Sequence, residues 1–475
     1  MTFKSQPISF SNYVGFNDNL SITTYNNEQD LIVGQISKLE QPNAIYLGKI
    51  AEEDYMSKDL WLDTESAHVV YVMGSRRSGK SYTLGTIAEG LSLNNLSTGN
   101  VQNGVLILDT LNLYWTSESE SQESERKNLT KWGLDPESIS NIDIYYPTSK
   151  KKDWMLGHFH PFSLRSSDVD YHDLAELFKI SIIEDPQGQL LSEVFRNVTS
   201  SGYDSLTSHV NANPNYEISD LIKCIDEDAS LTSEDSTKNA LKRRLETLER
   251  EGIISANGTE IRSFFRANRV SDLLLGDLNP QDRGLVIGVV VKKIFQLRTE
   301  TTAAEKRRSS IQNNPNASKE DVQKINDSIE HGVPRGWILI DEAHNYVPAQ
   351  GIIGSSRALI QYVNEGRNIG LSLAVTTQNP AGLHQSIQRN ADVLIIHKIG
   401  LKKDLQAAEG MLRNTTPVEV EISDAVNTKK LKSKVFESIV RELELGYGII
   451  SAENCNRIIH AHIRPRVSEH GGLNY

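Results

Sequence analysis

The sequence has little cysteine, no excess of positive charge and no long apolar run. Its only cysteines, Cys224 and Cys455, lie far apart, which excludes a disulfide framework and a four-cysteine zinc site. With 50 lysines and arginines against 62 aspartates and glutamates, the net charge is −12, so any site for nucleic acid has to be local. No apolar run approaches the roughly 18 residues of a membrane span, and the polar first residues do not resemble a signal peptide. We therefore expect a soluble, cytoplasmic protein with no membrane partner.

The remaining composition is typical of a globular protein with several domains. The 475 residues suggest two to four domains at roughly 100–200 residues each. A hydrophobic share of 38%, together with 31 glycines, excludes global disorder. Alternation of buried strands with amphipathic helices favours an α/β fold with a parallel sheet. The runs that predict buried strands are His68–Met73, Val105–Leu108, Ile142–Tyr146, Val270–Leu275, Trp337–Ile340, Leu371–Thr376 and Val393–Ile396.

The periodicity of apolar residues divides the chain into four regions. Residues 1–53 alternate short apolar runs with turn signals, which predicts a small β module. Residues 54–115 and 265–450 carry most of the predicted buried strands and form the α/β core, although the polar segment Thr301–Gly332 is predicted to be a surface excursion. Residues 116–264 are mainly helical and polar and are predicted to be an insertion, and residues 451–475 hold a last strand and a tail.

The strongest motif has the pattern G-x-x-x-x-G-K-S between a predicted strand and an amphipathic helix. Such a loop surrounds phosphate oxygens with backbone amides, and the helix N-terminus adds its dipole. Lys80 can reach the β- and γ-phosphates, and the Ser81 hydroxyl can bind Mg²⁺. The alternative interpretation is a tight turn without a ligand. The motif predicts a nucleoside triphosphate site formed by Gly74, Ser75, Arg76, Arg77, Ser78, Gly79, Lys80 and Ser81.

A second motif ends a buried strand in two acids, Asp341 and Glu342. At the carboxyl edge of a parallel sheet, where ligands bind, Asp341 would hold the metal ion and Glu342 would orient or deprotonate the attacking water. The alternative interpretation is a strand followed by a helix N-cap, which gives the same pattern. The catalytic interpretation is favoured because the sequence also contains the phosphate loop.

Three further residues are weaker candidates. Gln378 ends another predicted strand and can sense the γ-phosphate, with a turn glutamine before Asn379 as the alternative. Arg367 precedes that strand and can complete the site of a neighbouring subunit, with an exposed arginine at a helix end as the alternative. Arg389 is the second candidate for that arginine.

Four segments together resemble the HerA-type ATPases of the HerA–FtsK superfamily, a group of hexameric RecA-like DNA motors. The resemblance covers about Ile45 to Gly472. The segments follow in the order GSRRSGKSYTLG, IDEAHNYVP, NEGRNIGLSLAVTTQNP and HIRPRVSEHGG.

The resemblance implies a RecA-like P-loop ATPase core with a small N-terminal β-barrel, a helical insertion and a C-terminal segment that braces the adjacent subunit. It implies that Lys80 and Ser81 bind ATP and Mg²⁺, that Asp341 binds the metal ion and that Glu342 acts on the attacking water. It also implies that Gln378 senses the γ-phosphate and that Arg367 acts in the site of a neighbouring subunit. It further implies a homo-hexamer that acts on double-stranded DNA as a translocase or helicase. Its effector would be a NurA-type nuclease in archaeal repair, or a sirtuin-like NADase or another nuclease in antiphage (antiviral) defence.

The pattern departs from the family at one position that matters for chemistry. Relatives often carry Pro-His-Gly-Glu-Tyr after the strand that ends at Asp109, whereas this chain has Leu113 where the acid is usual. The N-terminal module is also shorter than in many relatives. Two other functions stay open: an ATP-regulated ring that serves as a scaffold and activates its effector without translocation, and a monomeric P-loop regulator.

Overall fold

The computed structural model describes residues 22–25, 28–34, 43–51, 58–99, 103–312, 318–351, 353–413, 419–424, 427–432, 435–455 and 458–472. Residues 1–21, 26–27, 35–42 and 52–53 of the predicted N-terminal module lie outside the described residues. Among the described residues, no helix combines the length and the apolar character that crossing a membrane requires.

Helices and strands alternate through most of the described chain. The helices are α1 Lys80–Ser92, α2 Glu123–Lys131, α3 Tyr171–Phe178, α4 Pro186–Arg196, α5 Ile218–Glu227, α6 Asp235–Glu251, α7 Pro280–Gln312, α8 Lys319–Glu330, α9 Gly354–Glu365, α10 Gln385–Asn390, α11 Lys402–Met411 and α12 Val435–Glu442. The strands are β1 Ile22–Tyr25, β2 Glu28–Val33, β3 Ala44–Ile50, β4 Asp59–Asp63, β5 Val69–Met73, β6 Ser97–Thr98, β7 Gly104–Asp109, β8 Ile142–Pro147, β9 Phe159–Phe162, β10 Leu164–Arg165, β11 Tyr203–Asp204, β12 His209–Val210, β13 Ile254–Ser255, β14 Val270–Leu274, β15 Gly336–Ile340, β16 Leu371–Thr377, β17 Val393–Ile396, β18 Glu419–Asp424, β19 Asn427–Lys432, β20 Tyr447–Ala452 and β21 Ile459–Ile463.

Eight parallel strands form the centre of the main sheet, in the order β17-β5-β16-β15-β7-β14-β8-β9. All seven predicted buried strands are among them, so the predicted α/β fold with a parallel sheet is confirmed. Beyond β17 the sheet continues through the antiparallel strands β20, β21 and β3, and β3 connects it to β4, β2 and β1.

Helices cover both faces of this sheet because its central strands are apolar on both sides. Val70 and Val72 of β5 pack with Leu84 and Ile87 of α1 in one core, whereas Tyr71 belongs to the core that holds α7 and α9. Each fully buried valine or leucine contributes about 1.5–3 kcal/mol relative to its exposed state. The continuous apolar runs of the sequence therefore correspond to strands covered on both faces.

Two segments differ from the sequence-based expectations. The strands β8 and β9 belong to the main sheet although they fall within residues 116–264, and the division into domains stays a prediction. The described part of the segment Thr301–Gly332 is mostly exposed, as predicted for a surface excursion, but it is helical: it prolongs α7 to Gln312 and forms α8. This stretch is rich in alanine, glutamate, lysine and arginine, which favour helix without any apolar periodicity.

A buried cluster of charges fastens the C-terminal segment to α1. The Glu89 carboxylate lies 2.7 Å from Arg464 Nη1 and 3.1 Å from Arg466 Nε, and all three side chains are fully buried. It also accepts hydrogen bonds from the backbone N–H groups of Val467 and Ser468. Burial alone would raise the pKa of Glu89, but the two guanidinium charges outweigh burial and hold the pKa below its ordinary value.

The two arginines extend this cluster to other elements. Arg464 Nε donates to the carbonyl of Tyr46 on β3, and its Nη2 donates to the carbonyl of Thr86 on α1, both at 2.9 Å. Arg466 Nη2 donates to Ser117 Oγ at 2.7 Å. Within one chain, the tail therefore joins β3, α1 and the segment after β7.

We expect Glu89→Gln to destabilise the fold strongly, because it leaves two buried guanidinium groups without a carboxylate. Breaking a buried ion pair in this way costs about 3–5 kcal/mol. The matched control is Glu123→Gln, which removes the exposed ion pair with Arg126 and should cost less than about 1 kcal/mol. Urea unfolding of both variants measures the difference, and equal losses would refute the structural role of Glu89.

Candidate active site

The phosphate-loop motif connects the end of β5 to the start of α1. Gly79 precedes the helix with φ 104°, a backbone conformation that favours glycine. A Cβ at Gly74 would lie 2.4 Å from Ser78 Oγ and 2.9 Å from the Cβ of His397, so only glycine fits there. Within the described part of the chain, no side chain caps the N-terminus of α1, and its first turn carries no acid. The positive end of the helix dipole is therefore available to an anion.

Two side chains of this loop are suited to phosphate. The Ser78 hydroxyl is buried and has no hydrogen-bond partner among the described residues. Lys80 is also buried, and its Nζ donates to the carbonyl of Ser75 at 3.1 Å and lies 3.7 Å from Glu342 Oε1. A buried hydroxyl without a partner and a lysine whose one charged partner is distant fit a nucleotide phosphate. Arg76 and Arg77 are exposed on the outside of the loop.

The carboxyl end of β15 holds the two predicted acids. Asp341 is buried; its Oδ1 accepts the backbone N–H of Glu342 at 2.9 Å and the hydroxyl of Thr376, and its Oδ2 accepts the Tyr114 hydroxyl at 3.1 Å. Oδ2, which accepts one hydrogen bond from the described residues, keeps capacity for a further ligand such as Mg²⁺. Ser81 lies in the first turn of α1, at the same edge of the sheet. Its carbonyl accepts a hydrogen bond from the Tyr114 hydroxyl at 3.2 Å.

Glu342 has a left-handed backbone, with φ 51°, which costs a residue other than glycine roughly 1–2 kcal/mol. Its carboxylate faces Lys80 on one side, while its Oε2 accepts the backbone N–H of Gln378 at 3.1 Å and lies 3.3 Å from His344 Nδ1. Burial lowers the pKa of His344, although the Glu342 carboxylate opposes this, and the net shift favours the neutral ring. This arrangement fixes a carboxylate beside the phosphate loop, where it can accept a proton from water.

The structure brings most predicted site residues together but places the two candidate trans-acting arginines, Arg367 and Arg389, away from them. The phosphate loop, Asp341, Glu342 and Gln378 share the carboxyl edge, because β5, β15 and β16 are parallel. The Gln378 side chain is exposed there. Arg367 precedes the amino end of β16, at the opposite edge, where its Nη2 lies 3.8 Å from Asp392 Oδ2. Arg389 is exposed near the start of β17, also at that edge.

Sequence reasoning missed three residues of the site: Tyr114, Thr376 and Asp109. Tyr114 joins Ser81 to Asp341, and Thr376 bonds to Asp341. Asp109 ends the adjacent strand β7 and accepts the backbone N–H groups of Leu111 and Tyr114. Burial raises the pKa of Asp109 to about 7, and the charge of Asp341 adds to this. The signal that could have found Asp109 is an acid at the end of an apolar run, as at Asp341.

Known proteins resemble this chain in both sequence and fold. Residues 61–294 match the family described as the central domain of helicase HerA. Over 280 residues the chain is 26% identical to the DNA double-strand break repair helicase HerA of Pyrococcus furiosus, covering 53% of this chain and 49% of that protein. The chain thus matches about half the length of this relative. The structure of VirB4 of Thermoanaerobacter pseudethanolicus has a TM-score of 0.50 at 13% identity, covering 89% of this chain and 96% of that one.

The parallel sheet and the loop–strand–acid arrangement at its carboxyl edge define a RecA-like P-loop ATPase fold, and the similarity to VirB4 supports this fold alone. Sequence similarity then points to the family. The match to the HerA central domain and the similarity to a HerA helicase support a HerA-type ATPase.

We expect Glu342→Gln and Lys80→Ala to separate ATP binding from hydrolysis. The amide keeps the shape of Glu342 but accepts no proton, so hydrolysis should fall about 10²–10⁴-fold while ATP still binds. Lys80→Ala removes a phosphate contact and should weaken binding as well. Lys324→Ala, which changes an exposed lysine on α8, is the control. Binding is measured with a fluorescent ATP analogue and hydrolysis by phosphate release; hydrolysis by Glu342→Gln at the unaltered rate would remove this residue from its assigned role.

Proposed function

We propose that this chain hydrolyses ATP as a subunit of a ring that moves on double-stranded DNA together with an effector protein. The observation that carries the proposal is the buried Lys80 next to Glu342 and Asp341, at the carboxyl edge of a HerA-type fold. The relative's name, DNA double-strand break repair helicase, supports DNA as the track. The effector would be a nuclease or a sirtuin-like NADase, in repair or in antiphage defence.

Each residue of the edge has one task in this proposal. The loop amides, Ser78 and Lys80 bind the phosphates of ATP, and Ser81 and Asp341 would hold Mg²⁺, which neutralises phosphate charge. Glu342 orients the attacking water and accepts its proton, and Gln378 senses the γ-phosphate. Thr376 and Tyr114 keep the Asp341 carboxylate in place through their hydroxyl groups.

Arg367 would serve the site of a neighbouring subunit. It lies at the opposite edge of the sheet from the phosphate loop of its own chain, and 44% of its side chain is exposed. In a homo-hexamer with head-to-tail contacts, one subunit's amino edge can face the next subunit's carboxyl edge. An arginine supplied in trans is worth about 10³–10⁵ in rate.

The shared site predicts that two inactive variants restore activity when they are mixed. Arg367→Ala and Glu342→Gln should each be inactive alone, but mixed rings contain interfaces with an intact glutamate and an intact arginine. The measurement is ATPase activity against mixing ratio, with native mass spectrometry to show that the rings are mixed. Mixed rings without any recovered activity would contradict a shared site, and Arg389→Ala in place of Arg367→Ala tests the second candidate.

The proposed track predicts that duplex DNA stimulates hydrolysis and binds in a salt-dependent way. With about three to six phosphate contacts, log affinity should fall with log salt at a slope near −3 to −5. Unrelated duplexes should bind equally well, because backbone contacts carry no sequence information. The measurement is the ATPase rate with and without DNA, for the ring alone and with its effector. Stimulation by the effector only, with no salt-dependent DNA binding, would favour the scaffold over the motor.

A further inference from the structure

The loop between β8 and β9 carries a concentration of positive charge that the proposed ATPase chemistry does not use. This lysine loop, residues 148–158, contains Lys150, Lys151 and Lys152 in succession against a single acid, Asp153. Most of its residues are exposed. In a chain with a net charge of −12, three adjacent lysines form the kind of local basic site that a polyanion requires.

The ion pairs of these lysines are weak enough to be exchanged. Lys150 Nζ lies 3.1 Å from Glu251 Oε2, and Lys152 Nζ lies 2.7 Å from Asp277 Oδ2. All four side chains are partly exposed, and ion pairs at such positions contribute little to stability. Phosphate oxygens can therefore replace the carboxylates as partners of these lysines.

The lysine loop is held in a defined position by its apolar residues. Met155 is buried in the core on the α1 side of the sheet. Trp154 packs against Trp115 and Phe159, with ring centroids 4.9 Å and 5.5 Å apart, and still exposes 48% of its surface. The three lysines are thus presented by an anchored loop.

This position adjoins the active site. The strand β8 is parallel to β14 and β14 to β7, so the lysine loop leaves the sheet at the same carboxyl edge as Asp109 and Asp341. Trp115, which contacts Trp154, directly follows Tyr114, whose hydroxyl bonds to Asp341 and to the carbonyl of Ser81. Because Trp115 and Tyr114 are adjacent in the chain, the lysine loop is connected through them to the residues that would hold Mg²⁺.

We propose that the lysine loop binds the phosphate backbone of duplex DNA and that Trp154 and Trp115 link this contact to the active site. The assignment rests on the proposed function, because it concerns the track of that motor. Lysine acts as a compact point charge on a flexible stem and imposes no bidentate geometry, which suits the closely spaced, repeating charges of DNA. The contact would be independent of base sequence.

The test replaces all three lysines, as Lys150→Ala, Lys151→Ala and Lys152→Ala together. The matched control is Lys306→Ala, Arg307→Ala and Arg308→Ala together, which removes the same charge from an exposed part of α7. Affinity for a labelled duplex is measured against salt for both triple variants and the unaltered chain. Losing two to three contacts should lower affinity at least 10-fold at low salt and reduce the steepness of the slope by about 2–3, whereas the control should bind as the unaltered chain does.

Two further variants identify the role of each group. Replacing the three lysines by arginines should restore DNA binding, because the charge is kept. Trp154→Ala keeps the three charges but removes the contact with Trp115. It should therefore lower DNA stimulation of hydrolysis, expressed as the ratio of rates with and without DNA, more than it lowers affinity.

The outcomes distinguish this assignment from the proposed function. If the unaltered chain binds no DNA in a salt-dependent way, the proposed function fails and this assignment fails with it. If the unaltered chain binds DNA and the triple-alanine variant binds it equally well, only the assignment is overturned. Unchanged DNA binding with lost binding of an acidic effector protein would overturn it too, and would identify the lysine loop as a protein-docking surface.

Discussion

The buried charge of Glu89 is the constraint on which most of the structure depends. It lies on α1, the helix that follows the phosphate loop, and among the described residues its charge is neutralised by Arg464 and Arg466, more than 370 residues further along the chain. An isolated carboxylate at this position would be very costly, so the C-terminal segment has to pack against α1. Arg464 also holds β3 through the carbonyl of Tyr46. The helix that follows the phosphate loop is therefore coupled both to β3 and to the C-terminal segment.

The direction of the strands in the parallel sheet determines which residues lie close enough to form one site. Since β5, β7, β15 and β16 run in one direction, the phosphate loop, Asp109, Asp341, Glu342 and Gln378 all emerge at one edge. The same geometry sends Arg367 to the other edge, near Asp392 and away from Asp341 and Glu342. One chain thus carries two separated groups of residues, which is the arrangement expected if neighbouring subunits complete each other's sites.

The sequence predicts this fold and most of the candidate site because the relevant signals are local. Seven predicted strand segments correspond to buried strands of the main sheet, and Gly74 and Gly79 of the phosphate loop meet steric and backbone conditions that favour glycine. The helix α8 was not predictable from periodicity, because none of its residues is buried. Tyr114 and Thr376 are ordinary residue types. The contact of Thr376 with Asp341 arises from the register of β15 and β16, and that of Tyr114 arises from the turn after β7. The pairing of Glu89 with Arg464 and Arg466 is equally invisible in a single sequence.

We infer that the loop from Gly74 to Ser81 binds ATP and that the Glu342 carboxylate is positioned to accept a proton from the attacking water. The most direct measurement is a crystal or cryo-EM structure of the chain with Mg²⁺ and a non-hydrolysable ATP analogue. The expected result is that Lys80 leaves the Ser75 carbonyl for the phosphates, that Mg²⁺ lies between Ser81 and Asp341, and that the Glu342 carboxylate faces the γ-phosphate. Nucleotide bound elsewhere, or a loop that stays empty with Lys80 still on Ser75 at saturating analogue, would contradict it.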